Sequence, residues 1–392
     1  MRKPIAYGKV RLFKKLLINI YLNKLQLPDS MITIVGAGPA GSYLGYLLAK
    51  EGKDVTILED HETIGKPVQC TGIVTHSVEK FFKLKNDVVA KKLDKVIVVS
   101  KNQKISVNVD EIVMWRDKFD RFVAEMAQDE GAKILLNHQF ISFNGKNSII
   151  VKDKKNSKTK EFKTEAIIGA DGPYSAVAKA AGLDSNSKKY IGMQAKVKVK
   201  MDTSSFETYF GADFPNFFGW CVPESEGTAR LGIGCFENAQ HYFYKFLKNR
   251  TGEDKIVCSE SGLIPLYNPN RQIQKDNIYL IGDAATQVKA TTGGGIIPSL
   301  KAARTLCECI INKKNYDKEF RRQSGKELLL HLRIRKMLNK FSDEDYNKLL
   351  RLMDSEKVKV VLKKYDRDTP IPLVMNLLLK EPRFLGFGKV LF

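Results

Sequence analysis

At 392 residues the chain is longer than the span over which one hydrophobic core keeps growing, so two or three structural units are expected. A hydrophobic share of 43% is ample to bury real cores, and 65 Lys and Arg against 44 Asp and Glu leave a formal charge of +21 that suits an anionic partner. Six cysteines without a CxxC pair exclude a disulfide scaffold and fit a reducing cytoplasm, while five histidines without HxxxH or HExxH spacing give no expectation of a metal site.

Residues 1–30 carry seven Lys or Arg against Asp29 alone, with Leu12, Phe13, Leu16, Leu17, Ile20 and Tyr21 spaced as one face of a helix. Three readings stay open for this basic amphipathic extension: a signal peptide, a helix lying on a membrane surface, or an upstream segment of little consequence. Its apolar run "LLINIYL" is too short to span a bilayer.

"MITIVGAGPAGSYLGYLLAKEGKDVTILED" (31–60) reads as strand, glycine turn, helix and second strand, a βαβ unit. Gly36, Gly38 and Gly41 form G-x-G-x-x-G at the turn. Glycines there let the backbone bend sharply, approach a diphosphate and aim the helix N-terminus at its charge. Glu59, at the end of the second strand, is placed to hydrogen-bond ribose hydroxyls. With strand, helix and acid in register the unit reads as dinucleotide-binding, although this motif alone does not separate NAD from FAD.

A basic, polar stretch follows, and then the spacing of "WRDKFDRFVAEMAQDEGAKI" (115–134) predicts a helix closed by Gly131. "AIIGADGPYSAVAKAAG" (166–182) repeats the strand-to-turn-to-helix pattern, with Asp171 and Gly172 in the turn. Between about 188 and 265 the pattern changes to short alternating segments, among them "SFETYF" and "FFGWCVP", with "ESEG" as a hairpin turn. "NIYLIGDAA" (277–285) returns to a buried strand, and a run of glycines leads into the helical "PSLKAARTLCECII" (298–311). From about 316 onward charged helical patterning dominates, with Ser342 and Asp345 forming a capping box and an unusually apolar tail, "IPLVMNLLLKEPRFLGFGKVLF".

The predicted fold is therefore α/β, α+β overall. A Rossmann-type dinucleotide-binding domain takes 31–187, with an inserted segment at about 80–115, and resumes over 266–315. An antiparallel β substrate-binding domain takes 188–265, and a helical C-terminal unit 316–392. The basic charge has no Arg-rich helix, zinc-finger spacing or RNP-type aromatic pattern beside it, so nucleic acid is not an expected partner.

"YLIGDAATQVKATTGGGI" (279–296) resembles the second flavin signature of FAD-dependent oxidoreductases of the p-hydroxybenzoate-hydroxylase superfamily, and "GADGPYSAVAK" (169–179) resembles the third. Within that superfamily the chain is most similar to the geranylgeranyl reductase family, particularly archaeal digeranylgeranylglycerophospholipid reductases. The segments that carry this are "GKPVQCTGIVTHS" (65–77), "RDKFDRFVAEMAQDEGA" (116–132), "FFGWCVP" (217–223) and the Thr-Gly-Gly-Gly-Ile run (292–296), within residues 31–310. The resemblance implies FAD as cofactor. Its flavin contacts, carried over position by position, fall on Ala40, Glu59, Cys70, Thr71, Gly72, Arg116, Asp283, Gly295 and Ile296, with a backbone contact near Phe140. The chain departs from the family pattern at Ala290, where Pro is usual, and at Thr286, where Gly is common.

The resemblance also implies saturation of isolated C=C bonds in the geranylgeranyl chains of membrane lipids. An unactivated alkene has no carbonyl to polarise, so hydride delivery from the flavin must be coupled to delivery of a proton by a buried donor. Cys70 is the candidate donor, a thiol placed by the flavin, although a buried Cys that only packs is the plainer reading. Tyr209, Phe217, Phe218 and Trp220 are expected to line an apolar tunnel for a lipid tail. Without a second dinucleotide motif or an iron–sulfur cysteine cluster, electrons are expected from an external donor, NAD(P)H or a ferredoxin. The basic surface then suits peripheral association with the inner face of the cell membrane. The rival class is a flavin monooxygenase or halogenase, although "FFGWCVP" lacks the first Trp of the halogenase W-x-W-x-I-P motif.

Overall fold

The computed structural model describes residues 31–184, 187–252 and 256–390, so the amphipathic extension 1–30 lies outside the described residues. Short, wholly buried apolar runs build the first sheet. β1 (Ile32–Val35), β2 (Val55–Leu58) and β10 (Ala166–Gly169) are buried at every position, as strands covered on both faces must be. They pair in parallel, with β6 (Lys133–Leu135) beyond β2 and β17 (Ile278–Leu280) beyond β10, and β16 (Gln274–Lys275) closes the edge antiparallel. Helix α1 (Pro39–Lys50) crosses from β1 to β2 and packs against α2 (Arg116–Asp129) and α5 (Ile296–Ile311).

The second sheet has eight strands in the order β15-β11-β14-β13-β12-β4-β5-β3. Its members are β3 (Ile73–Thr75), β4 (Val89–Val99), β5 (Lys104–Met114), β11 (Lys189–Lys198), β12 (Ser205–Tyr209), β13 (Gly219–Ser225), β14 (Thr228–Cys235) and β15 (Cys258–Pro265). The segment expected as an insertion at about 80–115 thus supplies β4 and β5 to this sheet. Its hairpin edge would otherwise present unpaired backbone groups, and β12 covers it by pairing parallel with β4, which makes the sheet mixed rather than wholly antiparallel.

Strand alternation gives this sheet two different faces. Ala195, Val197, Cys221, Ala229, Leu231 and Ile233 form a core with Phe243, Phe246 and Leu247 of helix α4 (Ala239–Thr251). Their even-numbered neighbours Gln194, Trp220 and Val222 look the other way, into the space beside the parallel sheet.

A third sheet, β7 (His138–Phe143), β8 (Ser148–Asp153) and β9 (Lys158–Lys163), fills a stretch to which the sequence reading assigned no element, and α3 (Ala176–Ala180) follows β10. The C-terminal unit is helical as expected, with α6 (Tyr316–Phe320), α7 (Lys326–Leu338), α8 (Asp343–Met353), α9 (Glu356–Lys364) and α10 (Pro370–Lys380). The capping box at α8 is present: Ser342 Oγ accepts from Asp345 N at 3.2 Å and Asp345 Oδ2 accepts from Ser342 N at 3.0 Å.

Candidate active site

A cavity of ≈ 760 Å³ lies between the two large sheets, and its walls come from segments that are distant in the chain. The turn after β1 forms one end. Gly36 has φ +105°, and a Cβ there would stand 2.4 Å from Ala170 O, so no side chain fits. Gly38 caps α1 without any side-chain hydrogen bond, which leaves the helix's first N–H groups to the cavity. Gly41 does not line the cavity; a Cβ at 41 would meet Gly36 O at 2.0 Å, so its place is the close packing of helix on turn. Glu59 Oε2 accepts from Ala37 N at 2.9 Å, fixing the carboxylate beside the turn.

The loop Cys70–Thr71–Gly72 forms part of the middle wall. Gly72 has φ +82°, and Met114 O would be 2.5 Å from a Cβ there. Thr71 Oγ1 donates to Gln194 Oε1 at 2.9 Å, and Arg230 Nη1 donates to the Cys70 carbonyl at 2.8 Å, so strands of the second sheet hold the loop. Arg116 forks onto Asp120 at 3.0 Å. Burial works to lower the Arg116 pKa, but the Asp120 carboxylate and the nearby Cys70 outweigh it and the value is raised. Cys70, the candidate donor, sits against this cation, because the loop packs on the first turn of α2.

Asp283 and the glycine run close the far end. The Asp283 carboxylate makes no hydrogen bond to protein among the described residues. Burial pushes its pKa up to about 6, with Arg116 pulling the other way. A Cβ at Gly295 would stand 2.9 Å from Asp283 Oδ1, so a side chain at 295 would displace the acid. Helix α5 starts at Ile296 with no side-chain cap, a second set of free N–H groups beside the cavity. Ala40, Phe140, Asp171, Gly295 and Ile296 also line it. Asp171 serves its own turn, accepting from Ser175 Oγ at 2.6 Å and Val177 N at 3.1 Å.

The remaining wall is apolar: Phe206, Phe217, Phe218, Trp220 and Val222. Gly232 and Gly234 make room for it, since a Cβ at 232 would be 2.6 Å from the Trp220 ring and one at 234 would be 2.5 Å from Phe217. Tyr209, expected in this lining, is absent from it. Along β12, Phe206 and Thr208 face the cavity, and pleating turns Glu207 and Tyr209 to the opposite face, where Tyr209 packs on Phe214 and Phe246 and meets Arg250.

Several residues that shape the site went unread in the sequence. Lys289 donates to Asp368 at 2.5 Å, Asp368 accepts from Thr75 Oγ1 at 2.7 Å, and the neighbouring Arg367 pairs with Glu111. This buried cluster ties the glycine run to the α9–α10 loop, and Lys289 and Arg367 both line the cavity. Arg335 of α7, 1% exposed, donates to the carbonyls of Ala290 at 3.1 Å, Thr291 at 2.6 Å and Phe217 at 3.1 Å. The backbone at Ala290 therefore keeps a firm partner although the family proline is missing.

Two uncapped helix N-termini, a turn closed to side chains, a fixed Glu59 and an unpartnered Asp283 form a cradle with the charge pattern of a flavin dinucleotide. The model of the FAD binding domain family matches residues 29–257. A digeranylgeranylglycerophospholipid reductase of Methanococcus vannielii is 30% identical, over 81% of this chain and 88% of its own length. The chain belongs to this family of FAD-binding reductases. FAD is thus its cofactor. A second reductase of that name, from Methanopyrus kandleri, is 28% identical over 91% of this chain and 98% of its own. Among solved structures, a geranylgeranyl bacteriochlorophyll reductase-like protein of Thermoplasma acidophilum superposes with a TM-score of 0.80 at 22% identity, covering 93% of this chain and all of its own. A flavin-dependent brominase superposes with 0.69 at 14% identity over 91% of this chain, which makes the fold common to both kinds of enzyme.

Proposed function

We propose that the protein is an FAD-dependent reductase that saturates C=C bonds in the geranylgeranyl chains of membrane lipids. The observation that carries the reading is the continuity of the FAD cradle with the wall of Phe206, Phe217, Phe218, Trp220 and Val222 inside one cavity. A prenyl chain lying on those side chains brings its double bonds to the level of the Cys70–Gly72 loop and the Gly293–Ile296 run. When bound and reduced, FAD supplies the two electrons.

The chain's own residues do the rest. Gly36, Gly38, Ala40 and the start of α1 take the diphosphate, Glu59 the ribose hydroxyls, and Asp283 the polar chain between diphosphate and ring. The backbone at Gly295 and Ile296, with Cys70, Thr71, Gly72, Arg116 and Phe140, borders the ring. Cys70 holds the proton required at the second alkene carbon, and Arg116 beside it neutralises the charge left on sulfur. The apolar wall keeps water from the reacting carbons.

The electron donor is external, NAD(P)H or a ferredoxin-type protein. The enzyme meets its lipid at the cytoplasmic surface of the membrane, a reading supported by its net charge of +21; among the described residues no helix is long and apolar enough to cross a membrane. The test is anaerobic incubation of dithionite-reduced enzyme with a geranylgeranylated phospholipid, followed by mass spectrometry. A gain of two hydrogens per double bond is expected; absence of any gain on prenyl lipids, or an oxygen requirement for turnover, overturns the reading.

A further inference from the structure

The apolar tail noted in the sequence forms helix α10, and its packing is unusual. The sequence PIPLVMNLLLK is apolar except at Asn376 and Lys380, yet Pro370 alone among its eleven residues is buried. A helix that is hydrophobic nearly all round is normally covered. Here Ile371, Met375 and Leu379, spaced four apart on one face, are 37%, 58% and 75% exposed, and Leu385 in the following turn is 62% exposed.

The charges near this face are basic. Lys363 and Lys364 at the end of α9, which packs against α10, are exposed with no ion pair among the described residues, and so is Lys380 at the end of α10. The buried Glu381 pairs with Arg383 at 2.7 Å and Lys357 at 3.0 Å. An apolar stripe with exposed lysines at its own helix end and at the end of the helix packed against it is complementary to the anionic surface of a phospholipid bilayer, with hydrocarbon beneath and phosphate around it. The same helix follows directly on the loop whose Arg367 lines the cavity.

We infer that α10 and the turn after it form the face by which the protein docks on an anionic membrane, Ile371, Met375, Leu379 and Leu385 entering the acyl boundary and Lys363, Lys364 and Lys380 meeting phosphates. This rests on the lipid-reductase reading and adds the surface to it. Docked so, the cavity wall at Arg367 is held close to the bilayer from which a prenyl chain must be drawn.

The test uses full-length FAD-loaded protein sedimented with vesicles of phosphatidylglycerol and phosphatidylcholine, against phosphatidylcholine alone. The wild type is expected to bind the anionic vesicles. The double variant Met375→Glu/Leu379→Glu, and separately Lys363→Glu/Lys364→Glu, should lower the partition coefficient about tenfold or more. Both pairs are exposed, so the fold and the reduction of detergent-dispersed lipid should be unchanged. Equal sedimentation of Met375→Glu/Leu379→Glu and wild type overturns the proposal. So does a wild-type dimer that the double variant converts to monomer in equilibrium ultracentrifugation, since a second copy would then be what covers the stripe. If the wild type binds anionic vesicles and both double variants lose that binding, but the wild type reduces no prenyl lipid, the docking face stands and the lipid-reductase reading falls.

Discussion

Arg230 of β14 donates to the backbone carbonyl of Cys70 at 2.8 Å, across 160 positions of the chain. The same guanidinium is anchored by Glu224 at 2.8 Å and by Glu260 at 3.5 Å, and Gln194 takes the hydroxyl of the next loop residue, Thr71. The Cys70–Gly72 loop is thereby set by the strands that carry the apolar wall of the cavity. A positioning role for Arg230 predicts that Arg230→Lys, which keeps the charge but loses the fork, lowers kcat about tenfold at nearly constant KM and alters the alkylation rate of Cys70. Unchanged alkylation and kcat would show that the contact only stabilises the fold.

Cys70→Ala separates proton delivery from packing. On the proposed donor role, its loss should reduce kcat about 10²-fold or more while the flavin content and visible spectrum stay normal. Full turnover in this variant would assign the proton to another source.

Asp283 gives a pH dependence with a definite sign. Its folded-state value of about 6 lies above the ordinary value of 3.8, so the protonated carboxyl favours the folded apoprotein. That contribution is fully present below about pH 4, shrinks as pH rises, and is gone above about pH 6. FAD affinity should run oppositely, because only the carboxylate accepts hydroxyl hydrogen bonds on both oxygens. Fluorescence titration should show FAD binding weakening as pH falls through 6, and Asp283→Asn should bind about tenfold more weakly at pH 8 and lose the dependence.

The Lys289–Asp368 pair is buried at both ends, 6% and 3% exposed in their side chains. Burial alone would raise the Asp368 pKa, but Lys289 and Arg367 hold it down at about 2. Its stabilisation is present above the ordinary carboxylate value and is lost as pH falls through about 2. Asp368→Ala leaves Lys289 buried without a partner and should cost about 3–5 kcal/mol, read as a lowered Tm.

Thr286 occupies φ +56°, a left-handed conformation that is strained for a β-branched residue and explains why glycine is common there in the family. Its Oγ1 accepts from Asn268 N at 3.1 Å, which offsets the strain. Thr286→Gly loses the bond but relieves the backbone, whereas Thr286→Ala loses the bond and keeps the strain. Chemical denaturation should therefore find the glycine variant about 1 kcal/mol more stable than the alanine one.

The sequence by itself determined the parts of the protein whose chemistry is local. A glycine turn, an acid at a strand end and a capping box are set by neighbours a few residues away, so the βαβ unit at 31–60, the Asp171 turn, the Asp283–Gly295 run and the helical C-terminal unit were all legible. What the tertiary structure decided involves partners far apart in sequence. The strand parity that sends Phe206 into the cavity and Tyr209 away from it depends on the pairing of β12 with β4. The cation beside Cys70, the bond from Arg230, and the Lys289–Asp368 pair join segments that no spacing rule connects. Such contacts leave no periodic trace, because a single polar residue on a strand or loop looks the same in sequence whether water or a buried partner satisfies it.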